Sequence, residues 1–457
     1  SSSSHSSSKL LVLKAKKEYE KWYKQNIVNI PVELLQSSTE YHDPKHCTKL
    51  PNLFDLNFNN IYWQSLTTKN RGIAYFLSAY YDNRYLIENR PMLRIISVIK
   101  EVDLPFVKYC QIWFKNEKKL IRSNVSNPIT MEPFKTPLHT YILSCNVPKE
   151  YSMHIPTAVS LVEGECDLAT NILKVNYNMP KDGGDKENFA ICIKGIDYPH
   201  QDLSFYLVEY IELCRLMGVH KLFIYDYDSH PNMSMVLRYY EIQDQVQVIP
   251  MTIPGTRPNL HGLIHEYVKV YTHEKHVYER IPHNDCFYMN IHKYKYLAFF
   301  DLDEIMIPNE GKTWSQLINA VMKKEKRNKG SKYEPPSAYL FQGTIYNDAL
   351  RQPYGWDPDI PKHMFMLQNV YRIPFNSRYP KQIIDTERNL GISNHKPQKC
   401  IGICKTHHMQ PSEAYISHFR TECKGKCKTV IKDTNTWKYK EELIENVEKS
   451  LRNIGLL

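Results

Sequence analysis

Three carboxylates stand within four residues, Asp301-Leu-Asp-Glu304, at the close of an apolar run over residues 296–300. The run reads as a strand buried on both faces. Carboxylates crowded at the end of such a strand repel one another and lose hydration, so positive charge belongs beside them. Alternation along an extended chain would turn Asp301 and Asp303 to one side and Leu302 back into the core. Two hard oxygen donors on one side of a sheet edge suit Mg2+ or Mn2+. An ion held there can grip a nucleotide's diphosphate and neutralise charge on a leaving group. A bare Asp-x-Asp also occurs on solvated turns; the buried strand ahead of this one favours the metal reading. Glu304 reads as support, holding the site's backbone or a lysine.

Placing such a pair takes an α/β framework, and the pattern after residue 187 supplies one. Residues 189–193 read as a strand, and residues 203–217 as an amphipathic helix closed by Gly218. A second strand, residues 221–225, ends in Asp226-Tyr-Asp228. A helix over 233–240, a third strand over 246–249 and a turn-rich loop over 250–258 follow. Residues 284–293 read as a helix leading into the acidic strand. In open α/β sheets, ligands sit outside the carboxyl ends of the strands. Those ends carry Lys194, Asp226 with Asp228, and Asp301 with Asp303. Lys194 is placed to meet a phosphate or ribose, the plain alternative being a solvated lysine. Asp226 is placed to accept from a base or sugar, the plain alternative being a helix cap. No Gly-x-Gly-x-x-Gly follows the first strand, and neither Gly-x4-Gly-Lys-Ser/Thr nor Gly-x-Ser-x-Gly occurs. That argues against dehydrogenase, phosphate-loop and serine-hydrolase readings.

The rest of the chain frames this unit. Its 457 residues, 42% hydrophobic, are enough for two or three domains. The division expected is linker and stem over 1–50, a β-rich domain over 51–180, the catalytic α/β domain over 188–430 and a C-terminal helix over 431–457. Ser1 to Ser8 read as linker residue, and a short helical pattern surrounds residues 14–23. Runs at 93–99, 106–114 and 139–144 suggest an antiparallel sandwich with no chemistry of its own. The polar cluster at 180–187 marks the boundary. A net charge of +10 is scattered with no basic stripe, which argues against nucleic acid and suits an anionic small molecule. Eleven cysteines fit a secretory compartment better than a reducing cytosol. Cys400-x3-Cys404 and Cys423-x3-Cys427 read either as disulfides or as a loose zinc pattern. Asn124-Val-Ser and Asn232-Met-Ser are glycosylation sequons, which agree with a luminal setting. No apolar run reaches the ~18 residues of a membrane span.

Six ordered stretches resemble glycosyltransferase family 92. They are Glu209-Tyr-Ile-Glu-Leu-Cys-Arg-Leu-Met-Gly-Val-His-Lys-Leu-Phe-Ile-Tyr-Asp226, Asn284-Asp-Cys-Phe-Tyr288, Phe299-Phe-Asp-Leu-Asp-Glu-Ile305, Lys381-Gln-Ile-Ile-Asp-Thr-Glu-Arg388, Ser393-Asn-His395 and Ala414-Tyr-Ile-Ser-His-Phe-Arg420. The resemblance covers about residues 188–425. It implies a glycosyltransferase A-type fold, Mn2+ (or Mg2+) on the Asp-x-Asp, and inversion at the anomeric carbon. Animal members are type II Golgi membrane proteins that use UDP-galactose and form β1,4-galactosides. Their acceptors include the core fucose of N-glycans and galactose, while plant members build galactan. A membrane anchor is then expected upstream of Ser1, and the partners are a UDP-sugar and a glycan or glycoprotein.

Such a transfer needs a metal bridging the phosphates to Asp303, with Asp301 on ribose or a metal-bound water. A neutral imidazole from the later half suits Mn2+ as a further ligand, and His395 and His418 both qualify. Lys381 and Arg420 are placed to offset phosphate charge. With Lys194, Asp226, Asn284 and Asp301 they complete the expected nucleotide-sugar set. An inverting displacement also needs a carboxylate base near the acceptor hydroxyl. Asp357, in Gly355-Trp-Asp-Pro-Asp359, sits beside an aromatic that can stack on a sugar; Asp359 lies beside it, and Asp348 and Glu387 are rivals.

Overall fold

The computed structural model describes residues 29–37, 40–58, 60–84, 91–132, 135–420 and 427–457. Two large sheets dominate a mixed α/β architecture. The first holds nine strands between Gln64 and Asn176, among them Met92–Lys100, Tyr109–Phe114 and Leu138–Asn146, where the β-favouring runs lie. Its pairings are antiparallel except that Ile73–Asp82 runs parallel to Leu173–Asn176. Tyr109–Phe114 and Leu138–Asn146 stand far apart in the strand order, yet Cys110 and Cys145 join them in a disulfide. The sheet must therefore curl on itself, around a core that includes Phe76, Ile95, Ile112, Leu143 and Leu161. The helical pattern at residues 14–23 lies outside the described residues.

The second sheet has eleven strands. Val246–Pro250, Lys221–Ser229, Glu187–Tyr198 and Tyr294–Phe300 lie side by side, all parallel. Asn376–Asp385 then adds antiparallel to Tyr294–Phe300, and Ala338–Tyr346 antiparallel to that. The apolar run 296–300 thus becomes a central strand with a neighbour on each side, which is why it shows no polar alternation. Helices Ser204–Leu216 and Pro231–Ile242 connect the parallel strands, and Gly218 ends the first with φ +83°, a left-handed backbone that glycine adopts without strain. The C-terminal helix, Lys440–Ile454, buries Leu443, Val447 and Leu451 against this unit.

Helix Arg280–Asn290 lies between the sheets, and the core around it draws on both. Trp63, Ile96 and Ile142 of the first unit pack in one cluster with Phe223, Phe287 and Phe299 of the second. Disulfides join Cys47 to Cys166, Cys192 to Cys286 and Cys400 to Cys404, and Cys427 is also disulfide-bonded. With Cys400 and Cys404 bonded to each other, their sulfurs are not thiolates and the zinc reading of that pair fails. Cys423 lies outside the described residues. Cys214 is a buried free thiol. Among the described residues no helix is long and apolar enough to cross a membrane.

Candidate active site

The acidic stretch is a turn, not an extended strand end. Tyr294–Phe300 stops at Phe300, the Glu304 N–H bonds to the Asp301 carbonyl at 3.0 Å, and Glu304–Pro308 resumes as a strand in a different pairing. The alternation expected to aim both aspartates one way does not operate. The turn instead sends Asp301 toward two lysines and Asp303 toward a histidine. Leu302 is buried, and the Tyr206 and Tyr210 hydroxyls donate to the Leu302 and Glu304 carbonyls, both at 2.9 Å, pinning the turn from below.

Lys381, from Asn376–Asp385, brings Nζ to 3.2 Å from Asp301 Oδ2 and 2.9 Å from Glu304 Oε2, with its side chain only 5% exposed. Lys194, near the end of Glu187–Tyr198, lies 3.3 Å from Asp301 Oδ1 and 3.4 Å from Glu279 Oε2. Burial opposes ionisation of Asp301, but Lys381 and Lys194 outweigh it and hold the carboxyl well below the usual carboxylate range. Glu304 is pushed the other way, up, chiefly by burial, against the pull of Lys381. It accepts the Asp301 N–H at 3.1 Å. Its expected role of holding the backbone and a lysine matches these contacts.

His418 and Glu304 are register partners across Ala414–Phe419 and Glu304–Pro308. His418 Nε2 stands 2.9 Å from Asp303 Oδ2, and Nδ1 stands 3.6 Å from Glu304 Oε1. Burial disfavours the imidazolium, yet the hydrogen bond to Asp303 and the charge of Glu304 prevail and raise the His418 pKa. Asp303, Glu304 and His418 each bring one ligand atom within 4.8 Å of the others. Two carboxylate oxygens and one imidazole nitrogen make a donor set that fits Mn2+ or Mg2+. His395 is not one of the three. Its Nδ1 lies 3.0 Å from the Pro380 carbonyl and its ring 5.5 Å from that of Tyr379.

The remaining sequence candidates divide. Asp226 accepts from the Ser229 hydroxyl at 2.7 Å, and burial, reinforced by Asp228, pushes its carboxyl up to about 6. Asn284 is fully buried; its amide bonds the Ile392 N–H and carbonyl and the Arg280 carbonyl. It fastens the Arg280–Asn290 helix to Asn389–Ile392 and has no face left for a nucleotide. Arg420 is exposed just beyond His418, its N–H on the Tyr346 carbonyl. Glu387 pairs with Lys186 at the opposite edge of the sheet, next to Thr386, whose N–H bonds Lys295. Six residues of strand separate Lys295 from Asp301, roughly 20 Å, so Glu387 is no base for this site. Asp348 accepts from Arg351 at 3.0 Å and Asn369 at 3.2 Å. Asp357 accepts the Asp359 N–H at 3.0 Å beside Trp356, which is 45% exposed with Arg351 stacked 3.6 Å from its ring centre. Asn124 is exposed at the end of Lys119–Asn124, whereas the Asn232 amide donates to Asp202 at 2.7 Å.

Glu279, His283 and Asn394 also belong to the site, although the sequence reading did not single them out. Asn394 lies 3.5 Å from Lys194 and 3.3 Å from His283 Nε2. His283 is buried, and burial with the nearby Lys194 lowers its pKa to about 3, so the ring is neutral. Asn394 carried a signal, lying inside Ser393-Asn-His395; Glu279 carried none, being one acid on a polar helix.

An open sheet with lysines, carboxylates and a histidine gathered at the ends of its strands is a layout that can hold an anionic ligand. The sequence model of Glycosyltransferase family 92 matches residues 187–454, and the chain belongs to that family. No curated protein matches the chain.

Proposed function

We propose that the protein is a divalent-metal-dependent, inverting galactosyltransferase that moves galactose from UDP-galactose to a glycan hydroxyl, such as core fucose or galactose of an N-glycan, in a β1,4 linkage. The observation that carries this reading is the turn of residues 301–303. It sets Asp303, Glu304 and His418 as one donor cluster and Asp301 as a second group between two lysines. Four parallel strands followed by antiparallel additions support a glycosyltransferase A-type framework behind a β-rich N-terminal unit. The disulfides support an oxidising, secretory-pathway setting, and within that pathway the Golgi lumen is the compartment proposed.

Asp303, Glu304 and His418 would hold Mn2+ or Mg2+, which when bound neutralises charge on the departing diphosphate. The chain's own groups do the rest. Lys194 brings an ammonium group to the rim, where an anionic diphosphate competes for it with Asp301, and the buried Lys381 adds positive charge from behind. Glu304 keeps Lys381 in place through its 2.9 Å contact. Asp357 serves as the base that takes the acceptor hydroxyl's proton, and exposed Trp356 offers the sugar an aromatic surface. Asp348 is the weaker candidate, held by Arg351 and Asn369.

Release of UDP that depends on both acceptor and Mn2+, strongest with UDP-galactose in a panel with UDP-glucose and UDP-N-acetylhexosamines, tests the donor. Asp303→Ala should lower turnover by ~10²-fold or more. Asp357→Asn should lose turnover comparably while UDP affinity stays within about twofold of the parent. Acceptor-dependent turnover undiminished in Asp303→Ala would refute the site.

A further inference from the structure

A second group of ligand-type side chains lies outside the turn of residues 301–303. We propose that His200, His265 and Glu266 form a zinc site, separate from the Asp303 cluster, that ties helix Leu263–Val270 to the end of strand Glu187–Tyr198. Each of the three offers one ligand atom within 4.8 Å of the other two. His200 follows the strand by two residues, and His265 and Glu266 lie in the first turn and a half of the helix.

Two further observations raise this above a chance gathering. His265 Nδ1 is 2.7 Å from Asp197 Oδ1, and both side chains are largely buried. A carboxylate on one ring nitrogen fixes the tautomer and leaves Nε2 with its lone pair free, the usual support behind a metal-bound histidine. Moreover, the His200 and His265 ring centres are 5.5 Å apart with the planes at 86°. Two imidazoles bound to one tetrahedral ion at ~2.0–2.1 Å place their ring centres about 5 Å apart. The arrangement therefore needs little movement to close on an ion.

The donor sets separate the two sites by chemistry. Two imidazoles and one carboxylate favour zinc and leave a fourth position for water, whereas the Asp303 cluster, with two carboxylates and one imidazole, is the harder set. Asp197 is the register partner of Asp228 and lies three residues beyond Lys194. An ion at His200 and His265 thus pins the helix beside the strand that delivers Lys194 to the rim. Zinc here would brace the helix against the strand while keeping one coordination position open to water.

The test measures zinc bound per chain, by titration calorimetry and by metal analysis after dialysis, on the full chain stripped with chelator. It is run in a His418→Ala background so that the Asp303 cluster lacks its imidazole. One zinc should remain in His418→Ala, and adding His200→Ala or Glu266→Gln should weaken it ~100-fold or abolish it. Asp197→Asn should weaken it about 10–100-fold. His200 and Glu266 are exposed, so these variants should keep the parent's metal-free melting temperature while losing its zinc-induced rise. Zinc affinity and melting shift unchanged by His200→Ala and by Glu266→Gln would overturn the proposal, as would loss of all zinc in His418→Ala alone.

Discussion

At the residue scale, Glu304 and Lys381 matter as much as the aspartates. Lys381 is the cation for two carboxylates at once, at 3.2 and 2.9 Å, and it is nearly inaccessible. Lys381→Met should leave buried Glu304 and half-buried Asp301 with only Lys194 and His418 against them. The expected loss is about 3–5 kcal/mol of stability, read from denaturant unfolding. Lys194→Met should cost less, because Lys194 is more exposed and Lys381 keeps Asp301 paired. Asp301, Asp303 and His418 were legible in sequence because each follows an apolar run, where a charge needs a reason, whereas Lys381 was marked only by its place in Lys381-Gln-Ile-Ile-Asp-Thr-Glu-Arg388. Asn284 and Glu387 misled for one cause: a polar residue inside a motif can hold the fold as well as a ligand. Asn284 faces backbone, and Glu387 lies at the far edge of the sheet.

At the element scale, the loop around Asp357 is anchored by a buried acid. Glu209, on Ser204–Leu216, accepts the Met366 N–H at 3.0 Å and the Leu367 N–H at 3.2 Å, at the start of the short helix Phe365–Gln368. Burial pushes its carboxyl up to about 8, against those hydrogen bonds. Folding therefore holds this proton more tightly than the unfolded chain does. The stabilisation is complete below the unfolded value of about 4.5 and is lost as pH rises through about 8. The span is on the order of 5 kcal/mol. Thermal melts from pH 5 to 9 should show stability falling for the parent, and a shallower fall for Glu209→Gln, which cannot ionise. Equal slopes would place the titration elsewhere. The strands and helices of residues 187–250 and the strand Tyr294–Phe300 were legible because their apolar periods are strong, whereas helices Leu263–Val270 and Thr272–Tyr278, short and polar, were not read. The turn of residues 301–303 was not, because alternation assumes a strand that continues, whereas Glu304–Pro308 pairs with Ala414–Phe419.

At the scale of the whole molecule, the family match begins at residue 187 but the core does not. Buried Asp285 accepts from Ser78, Tyr80 and Tyr225, each at 2.6 Å, so two of its three donors come from the first sheet. Arg84 donates to the Thr386 and Asn389 carbonyls while paired with Asp82. A chain of residues 187–457 alone should expose the apolar face of Phe223, Phe287 and Phe299 and leave Asp285 under-bonded. It should aggregate on expression or melt well below the full chain, by light scattering and calorimetry. A truncated chain that is monomeric with the parent's melting temperature would show that the shared core is dispensable.

Local pattern alone determined that this chain carries parallel strands joined by helices, with acids at the end of a buried one, since periodicity and burial are properties of neighbours in sequence. Tertiary structure decided which partner each acid met. Lys381 and His418 lie 80 and 115 residues from the aspartates they touch, and only strand pairing brings them there. It also decided which polar residues in the motifs face the rim and which face backbone, because that depends on where the chain returns.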